Sequence, residues 1–236
     1  MKTIGLIGGM SWESSQLYYQ IINQYVKESL GEHHSARSLM YSVDFQEIKT
    51  LQHQGNWDEA ARIMIDIAQK LETAGADLLV ICTNTMHKMA KEVEESISIP
   101  LIHIADSTAT RIVTDGIKKV ALLGTAFTME QDFYKGRLTE KFELEVIVPN
   151  EDDRLVIHDI IYQELCLGII SEESKQIYLK IINHLIQQGA EGIILGCTEI
   201  TLLISQDDCN IPVYDTATLH AKSAVDFALK ETLHHS

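Results

Sequence analysis

The chain alternates between short apolar runs and longer segments in which apolar residues recur at helical spacing. Residues 3–9 (TIGLIGG) form an apolar run closed by two glycines, which predicts a strand followed by a tight turn. Tyr18, Ile21, Ile22 and Tyr25 then recur at the spacing of one helix face. Because strand and helix keep alternating along the chain, the pattern favours a parallel sheet covered on both faces.

The same pattern predicts the remaining elements in order. Strands are expected at residues 39–43, 78–82, 99–104, 118–124 and 142–148, in a run ending at 197, and at 211–214. Helices are expected at residues 57–71, 86–95, 152–167, 172–188 and 216–233, with a further one opening near 128. A loop carrying Gln52 precedes the helix that begins at residue 57.

The second half of the chain repeats the first. Residues 191–199 (EGIILGCTE) match residues 77–85 (DLLVICTNT) at an offset of 114, so that Cys197 falls on Thr83. The two following pairs are Thr198 with Asn84 and Glu199 with Thr85. Two other stretches repeat at offsets of 116 and 112 residues. The repeat indicates two related α/β halves.

The predicted fold class is therefore α/β, with two pseudo-symmetric three-layer domains and mostly parallel sheets. We expect the first domain to comprise residues 1–107 plus 216–236, with the C-terminal helix packing back on it, and the second to comprise residues 108–215. We expect the active site in the cleft between the two domains.

Composition narrows the function classes. The net charge of −15 and the lack of a Lys/Arg cluster make nucleic acid an unfavourable partner. No apolar run approaches the ~20 residues that cross a bilayer, and the N-terminus lacks the apolar core of a signal peptide. The four cysteines show no paired spacing, which favours free thiols. We therefore expect a cytoplasmic protein that does not bind membranes.

The polar candidates lie where the predicted strands end, which is where open parallel sheets bind ligands. They are Gly8, Gly9, Met10, Ser11, Asp44, Thr83, Asn84, Thr85, Gly124, Thr125, Cys197, Thr198 and Glu199. Pseudo-symmetric halves can place Thr83 and Cys197 on opposite sides of one small molecule. Backbone N–H groups at the Gly-Gly turn and at helix starts can hold a carboxylate without Lys or Arg. Because a helix start follows Cys197, we expect its thiol pKa to be lowered and the thiolate to be favoured.

Two proton-handling groups that flank one carbon indicate stereoinversion, in which one removes a proton and the other returns one to the opposite face. The usual cofactor signatures are missing: the chain has no G-x-G-x-x-G, no Walker sequence and no metal-ligand spacing of histidines. No lysine is marked as a pyridoxal anchor. Chemistry without a cofactor or a metal is the simplest interpretation.

Four motifs resemble those of the aspartate/glutamate racemase family: residues 4–14 (IGLIGGMSWES), 82–87 (CTNTMH), 133–138 (FYKGRL) and 196–199 (GCTE). The resemblance covers essentially the whole chain. It implies a cofactor-independent racemase of aspartate or glutamate, built from two α/β domains, forming a homodimer and using two cysteines as paired acid and base. Cys197 matches the second of these cysteines. Substrate-binding positions of the family match Asn84, Thr85, Thr198 and Glu199.

The position of the first catalytic cysteine is occupied by Thr83. In this the chain resembles the branch described as L-aspartate/glutamate-specific racemase. A threonine hydroxyl is a far weaker acid than a thiol, so we expect Thr83 to donate a proton from one face while Cys197 acts as the base, with unequal rates in the two directions. Cys82 is the rival to Thr83, but neighbouring side chains of a strand point to opposite faces.

A second departure is Cys166, which stands where some aspartate racemases carry a lysine suited to a substrate carboxylate. Gln52 is a substitute candidate for that contact. Met10 is included among the substrate-binding residues, although packing explains it equally well. Asp44 can bind substrate, orient a neighbour or cap a turn, and we favour orientation.

Other interpretations remain. Thr83 can cap the following helix, with or without a chemical role. The thiol of Cys197 also suits a maleate isomerase or an arylmalonate-decarboxylase-like enzyme. From another class, the chain can be a non-catalytic amino-acid-binding protein. His87 and His103 are interpreted as structural and are left out of the site.

Overall fold

The computed structural model describes residues 1–230, which divide into two compact units. The first consists of residues 1–103 together with residues 220–230, and the second of residues 104–219. In chain order the elements up to residue 103 are β1 (Ile4–Gly8), α1 (Trp12–Leu30), β2 (Ser38–Ser42), α2 (Phe45–Gln54), α3 (Trp57–Thr73), β3 (Leu78–Ile81) and α4 (Ala90–Ser96). The elements that follow are α5 (Ile104–Thr114), β4 (Lys119–Gly124), α6 (Ala126–Glu130), α7 (Asp132–Phe142), β5 (Glu145–Ile147), α8 (Glu151–Gln163), α9 (Glu172–Gln187), β6 (Gly192–Gly196), β7 (Val213–Asp215) and α10 (Thr216–Leu229).

Both units contain a parallel sheet, so the prediction of an α/β fold is confirmed. The strand order is β2-β1-β3 in the first unit and β5-β4-β6-β7 in the second. Every residue of β1, β3 and β6 is buried, as expected for strands covered on both faces.

Helix α3 illustrates how the sequence pattern builds the first unit. Its buried residues recur at helical spacing and include Met64, Ile67 and Leu71. They pack in one cluster with Ile7 of β1 and with residues of β3. The Asn56 side chain accepts a hydrogen bond from the Glu59 N–H and caps the start of this helix.

The second unit has a comparable core beneath α5 and α7. Ile112 of α5, Tyr134 and Leu138 of α7, and Ile194 of β6 belong to the same buried cluster. The aromatic ring of Tyr214, in β7, joins them.

The strand predicted at residues 99–104 is wrong. Only an isolated parallel bridge between Leu79 and Leu101 forms there, supported by one bond from the Leu79 N–H to the Pro100 carbonyl and one from the Ile102 N–H to the Leu79 carbonyl. The matching stretch of the second half does form a strand, β7. Pro100 does not account for this difference by itself, because Pro212 occupies the equivalent position in the second half.

The loop expected around Gln52 is also a misprediction, because Gln52 lies in helix α2. The Asp44 carboxylate accepts a hydrogen bond from the Gln46 N–H at 2.9 Å and caps α2. Capping is therefore the observed role of Asp44, in place of the orientation that we favoured.

Two predicted helices differ in form from the expectation. The helix at residues 86–95 begins as a 3₁₀ turn, Thr85–Met89, before α4 continues it. The helix at residues 152–167 ends at Gln163, and Cys166 lies in a separate 3₁₀ turn, Leu165–Leu167. Of the helix expected at residues 216–233, the part from 231 to 233 lies outside the described residues.

Strands β4 and β6 approach closely at their carboxyl ends, where Gly124 pairs with Gly196. A Cβ on Gly196 would lie 2.8 Å from the Leu123 carbonyl oxygen and 2.9 Å from the Leu122 Cδ1. The residue after Gly196 is Cys197, so this close pairing fixes the backbone from which the thiol projects.

We expect Gly196→Ala to lower the free energy of unfolding by about 1–3 kcal/mol, because the added methyl group meets backbone that cannot move aside. Gly136→Ala is the matched control: it lies within α7, and its Cβ would be 3.4 Å from the Asp132 Cβ. This control should be neutral or stabilising by about 0.5–1 kcal/mol, as expected for Gly→Ala within a helix. Urea denaturation measures both, and equal stability of the two variants would contradict the close pairing.

Candidate active site

In the first unit the polar strand end is built around Thr83. The Cys82 N–H continues the ladder to the Ile7 carbonyl, and the Thr83 N–H bonds to the Ile81 carbonyl, each at 2.9 Å. The Thr83 carbonyl accepts a 2.7 Å hydrogen bond from Nδ1 of His87. The Thr83 side chain is only partly buried, and no group within residues 1–230 hydrogen-bonds its hydroxyl. The hydroxyl is thus not used as a helix cap.

Cys82 is a poor rival for a chemical role. Its side chain is fully buried, and burial raises the pKa of its thiol. The adjacent Thr83 is the more exposed of the two, in keeping with the alternation of side chains at a strand end.

The other predicted residues of this unit are buried around the same strand end. Asn84 and Thr85 are 2% and 5% exposed. The Gln52 amide, although on α2, donates to the Met86 Sδ at 3.2 Å and so lies beside the 3₁₀ turn that follows Thr83. Met10 belongs to the hydrophobic core cluster, and substrate contact by Met10 stays a prediction.

Two serines that sequence reasoning did not single out tie the glycine turn after β1 to the Thr83 strand end. Ser15 Oγ accepts a 2.7 Å bond from the Gly9 N–H and donates to the Ser11 carbonyl. Ser14 Oγ donates to the Cys82 carbonyl at 3.0 Å. Their only sequence signal is a serine pair one turn into the helix that follows two glycines.

In the second unit Cys197 stands at the end of β6 with an extended backbone. Its Sγ–H donates to Oε2 of Glu199 at 3.0 Å, and the Thr198 hydroxyl donates to the same oxygen at 2.7 Å. All three side chains are buried. The two donors satisfy a carboxylate that has little contact with water.

This arrangement raises the pKa of the Cys197 thiol well above its ordinary value. Burial is the largest cause, followed by the negative charge of Glu199 and by Cys166. The backbone N–H of Glu199 acts in the opposite direction, but it is the last of the contributions. The expectation that a following helix start lowers this pKa is therefore wrong, because a five-residue 3₁₀ turn cannot offset burial beside a carboxylate.

Two tyrosines missed by the sequence analysis lie near Cys197. Burial is the largest cause of the raised pKa values of Tyr162 on α8 and Tyr178 on α9, and a negative charge on Cys197 would raise both further. One turn before Tyr178, Ser174 Oγ donates to Glu164 Oε2 at 2.6 Å, next to the turn that carries Cys166. Cys166 thus lies in the surroundings of Cys197.

Three buried histidine rings lie together in the first unit. The His87 ring centroid is 4.6 Å from that of His103 and 5.5 Å from that of His220. The His220 Nε2 lies 2.6 Å from the Ile102 carbonyl and must donate to it, while its Nδ1 lies 2.8 Å from the Tyr18 hydroxyl. Burial lowers the pKa of His220 to about 4, so at neutral pH its Nδ1 accepts from Tyr18.

Neither a metal-binding group of side chains nor a membrane-spanning helix occurs in the part of the chain that the structure describes. Among residues 1–230 no group of three or more His, Cys, Asp or Glu side chains has the arrangement of a metal site. Within the same range no helix combines the length and apolar character needed to cross a membrane.

Comparison with known proteins identifies the class to which this fold and site belong. The sequence profile of the Asp/Glu/Hydantoin racemase family matches residues 7–224, and the chain belongs to this family. Family membership and fold support an isomerase, specifically an amino-acid racemase.

Individual relatives agree with this assignment. A Yersinia pestis protein assigned as an Asp/Glu racemase is 55% identical, with a TM-score of 0.92 over 97% of this chain and 100% of the other. An aspartate racemase homologue from Pyrococcus horikoshii OT3 is 36% identical, with a TM-score of 0.82 over 97% and 99% of the two chains. The broad specificity amino-acid racemase RacX of Bacillus subtilis (strain 168) is 26% identical over 94% of this chain and 96% of its own.

The lowered pKa of His220 predicts a loss of stability in acid. In the unfolded chain His220 is protonated below its ordinary pKa of 6.5, whereas in the folded protein it stays neutral down to about pH 4. Because the unfolded state binds the additional proton, the free energy of unfolding falls as the pH falls through this window. Between about pH 7.5 and pH 5 the loss from this group is about 2 kcal/mol.

His220→Gln removes this titration, so the stability difference between wild type and the variant should narrow towards acid by about the same amount. His34→Gln, at an exposed position, is the matched control for the substitution of a histidine by glutamine. Urea denaturation at several pH values measures these differences. If the difference in free energy of unfolding between wild type and His220→Gln stays constant from pH 7.5 to 5, the His220 ring is not held neutral in the folded protein.

Proposed function

We propose that this protein is a cofactor-independent racemase that interconverts the L and D forms of aspartate or glutamate. Cys197 takes the α-proton and Thr83 supplies a proton to the opposite face of the same carbon. The observation that carries the proposal is the pairing of two equivalent strand ends, one with an available hydroxyl at Thr83 and one with a buried thiol at Cys197. The proposal includes substrate binding between two domains and assembly as a homodimer.

Cys197 is a neutral thiol until substrate binds, because burial and Glu199 hold the proton on sulfur. The α-ammonium group of an amino acid brings a positive charge that stabilises the single negative charge of this pair when it moves from Glu199 to sulfur. Oε2 of Glu199 already accepts the Sγ–H bond and is the acceptor in place for that proton. Substrate thereby generates the thiolate that deprotonates it.

Thr83 acts as the proton donor rather than as a resting base, since its alkoxide forms only transiently, when the hydroxyl has given its proton to the carbanion. Its hydroxyl is the group at this strand end that no other part of residues 1–230 engages. One strong base and one weak acid make the two directions unequal. Removal of the α-proton from the L-isomer by Cys197 is the faster of the two proton abstractions.

Polar groups around these two residues bind the rest of the substrate. Asn84 and Thr85 on one side, and Thr198 and Glu199 on the other, are the binding residues of the proposal. The proposal places the substrate carboxylate beside the backbone that begins the two 3₁₀ turns, Thr85–Met89 and Thr198–Leu202.

The distal group of the substrate is the least constrained part of the proposal. Gln52 and Met10 are the contacts offered by the first unit, and Cys166 replaces a charged partner in the second. A side-chain pocket without a cation is compatible with more than one amino acid, and the relative RacX is itself described as a broad specificity enzyme.

Incubation with L-aspartate or L-glutamate in D₂O, without pyridoxal phosphate, tests this function. We expect deuterium at Cα by NMR and the D-isomer by chiral chromatography. The absence of both over a panel of amino acids would contradict the proposal. In that case an adduct of maleate on Cys197, detected by mass spectrometry, would support the isomerase alternative.

Cys197→Ser should lower both deuterium incorporation and D-isomer formation by at least about 10³-fold, because a hydroxyl is too weak a base and nothing else activates the carbon. Cys209→Ser is the matched control: it removes a partly buried thiol of the same unit that lies outside the proposed site. This control should retain wild-type rates. A Cys197→Ser protein with more than a tenth of the wild-type exchange rate would exclude Cys197 as the base.

A further inference from the structure

His87 is bound to the backbone of the proposed proton donor. Its Nδ1 lies 2.7 Å from the Thr83 carbonyl oxygen, and because a carbonyl only accepts, Nδ1 carries the proton and donates. The Thr83 N–H bonds to the Ile81 carbonyl at 2.9 Å. The backbone of Thr83 is thus held at both its N–H and its carbonyl, and the second of these bonds comes from a side chain.

The chain offers no side-chain cap at this turn. Asn84, which stands at the cap position of the Thr85–Met89 turn, makes no capping hydrogen bond and has helical backbone angles. The turn is closed by a 3.1 Å bond from the His87 N–H to the Asn84 carbonyl. The imidazole of His87 is therefore the side chain that ties this turn to the strand end before it, through the Thr83 carbonyl.

The His87 ring is itself fixed by its neighbours. It is 2% exposed, and it contacts the rings of His103 and His220. His220 is held at both nitrogens, by Tyr18 and by the Ile102 carbonyl. A ring packed in this way cannot rotate away from the Thr83 carbonyl without disturbing two others.

We propose that His87 is a positioning residue that sets the direction of the Thr83 hydroxyl and thereby the fate of the substrate carbanion. The inference rests on the proposed racemase function. His87 acts through Thr83 and not on the substrate. General acids require hydrogen-bond geometry towards the atom that they protonate, so a displaced Thr83 donates poorly even when its hydroxyl is intact.

The carbanion has two fates that can be distinguished, and a change at Thr83 alters their ratio. Cys197 breaks the Cα–H bond and keeps the proton on sulfur. Return of a solvent-exchanged deuteron from sulfur gives the α-deuterated L-isomer, whereas donation from the Thr83 hydroxyl gives the D-isomer and leaves an alkoxide that recovers its proton from water. The ratio of the D-isomer to the deuterated L-isomer is independent of how much enzyme is folded.

His87→Asn and His87→Gln form a matched pair for the test. The Asn amide nitrogen reaches the place of Nδ1 and keeps the donor to Thr83, whereas the longer Gln places its amide near Nε2 and loses that donor. In D₂O with the L-substrate, early in the reaction, His87→Gln should lower the partition ratio about ten-fold, the size expected from loss of one well-placed hydrogen bond. His87→Asn should keep it within about three-fold of wild type.

His103→Leu is the packing control, since it removes the ring next to His87 but leaves the His87 donor to the Thr83 carbonyl in place. Its partition ratio should equal that of wild type even if its melting temperature falls. Equal partition ratios for wild type, His87→Asn and His87→Gln would overturn the inference. An equal decrease in His87→Asn and His87→Gln would also overturn it, and so would a decrease in His103→Leu as large as that in His87→Gln. Failure of the proposed function looks different, because wild type would then incorporate no α-deuterium at all.

Discussion

The hydrogen bond from the Cys197 thiol to the buried Glu199 carboxylate is the interaction on which this account depends. Two neutral donors, the thiol and the Thr198 hydroxyl, share one carboxylate oxygen and make its burial tolerable. The same bond keeps the proton on sulfur, since a thiolate at this position would lie buried beside a like charge. In the proposed function, the positive charge that offsets this buried carboxylate is the α-ammonium group of the amino-acid substrate.

The two halves of the repeat restrain the residue at the equivalent strand end in different ways. At Cys197 the reactive group is restrained by a side-chain bond of its own. At Thr83 the side chain makes no such bond within residues 1–230, and the restraint falls on the backbone through His87. In the proposed function, a base at Cys197 and a weak acid at Thr83 make the rates on the two enantiomers unequal.

The strands that carry the candidate site could be predicted from the sequence because their hydrophobic pattern is the most regular in the chain. The apolar runs before Thr83 and Cys197 are short, continuous and followed by polar residues, which is the pattern of a strand buried on both faces. Helix α2 was missed because residues 45–54 are mostly polar, with Ile48 as their one fully buried hydrophobic residue. At residues 99–104 the pairing is limited to the Leu79–Leu101 bridge, whereas the equivalent stretch after Pro212 forms β7, a difference that the internal repeat does not predict.

The chemistry of the site was less accessible than its position. The rise in the Cys197 pKa depends on how deeply the thiol is buried and on which way Glu199 points, and neither is encoded in spacing. A histidine four residues after Thr83 is also uninformative in a sequence, because its meaning comes from a bond to the backbone carbonyl. Tyr162 and Tyr178 were missed for the same reason: they reach Cys197 through packing and not through a motif.

The most direct test of the central claim is the partition of the carbanion in Thr83→Val, which keeps the shape of threonine and removes only its hydroxyl. In D₂O with L-aspartate or L-glutamate, this protein should still place deuterium at Cα of the L-isomer through Cys197, while formation of the D-isomer falls by at least about 10²-fold. Formation of the D-isomer at the wild-type rate would contradict the assignment of Thr83 as the second proton-transfer group.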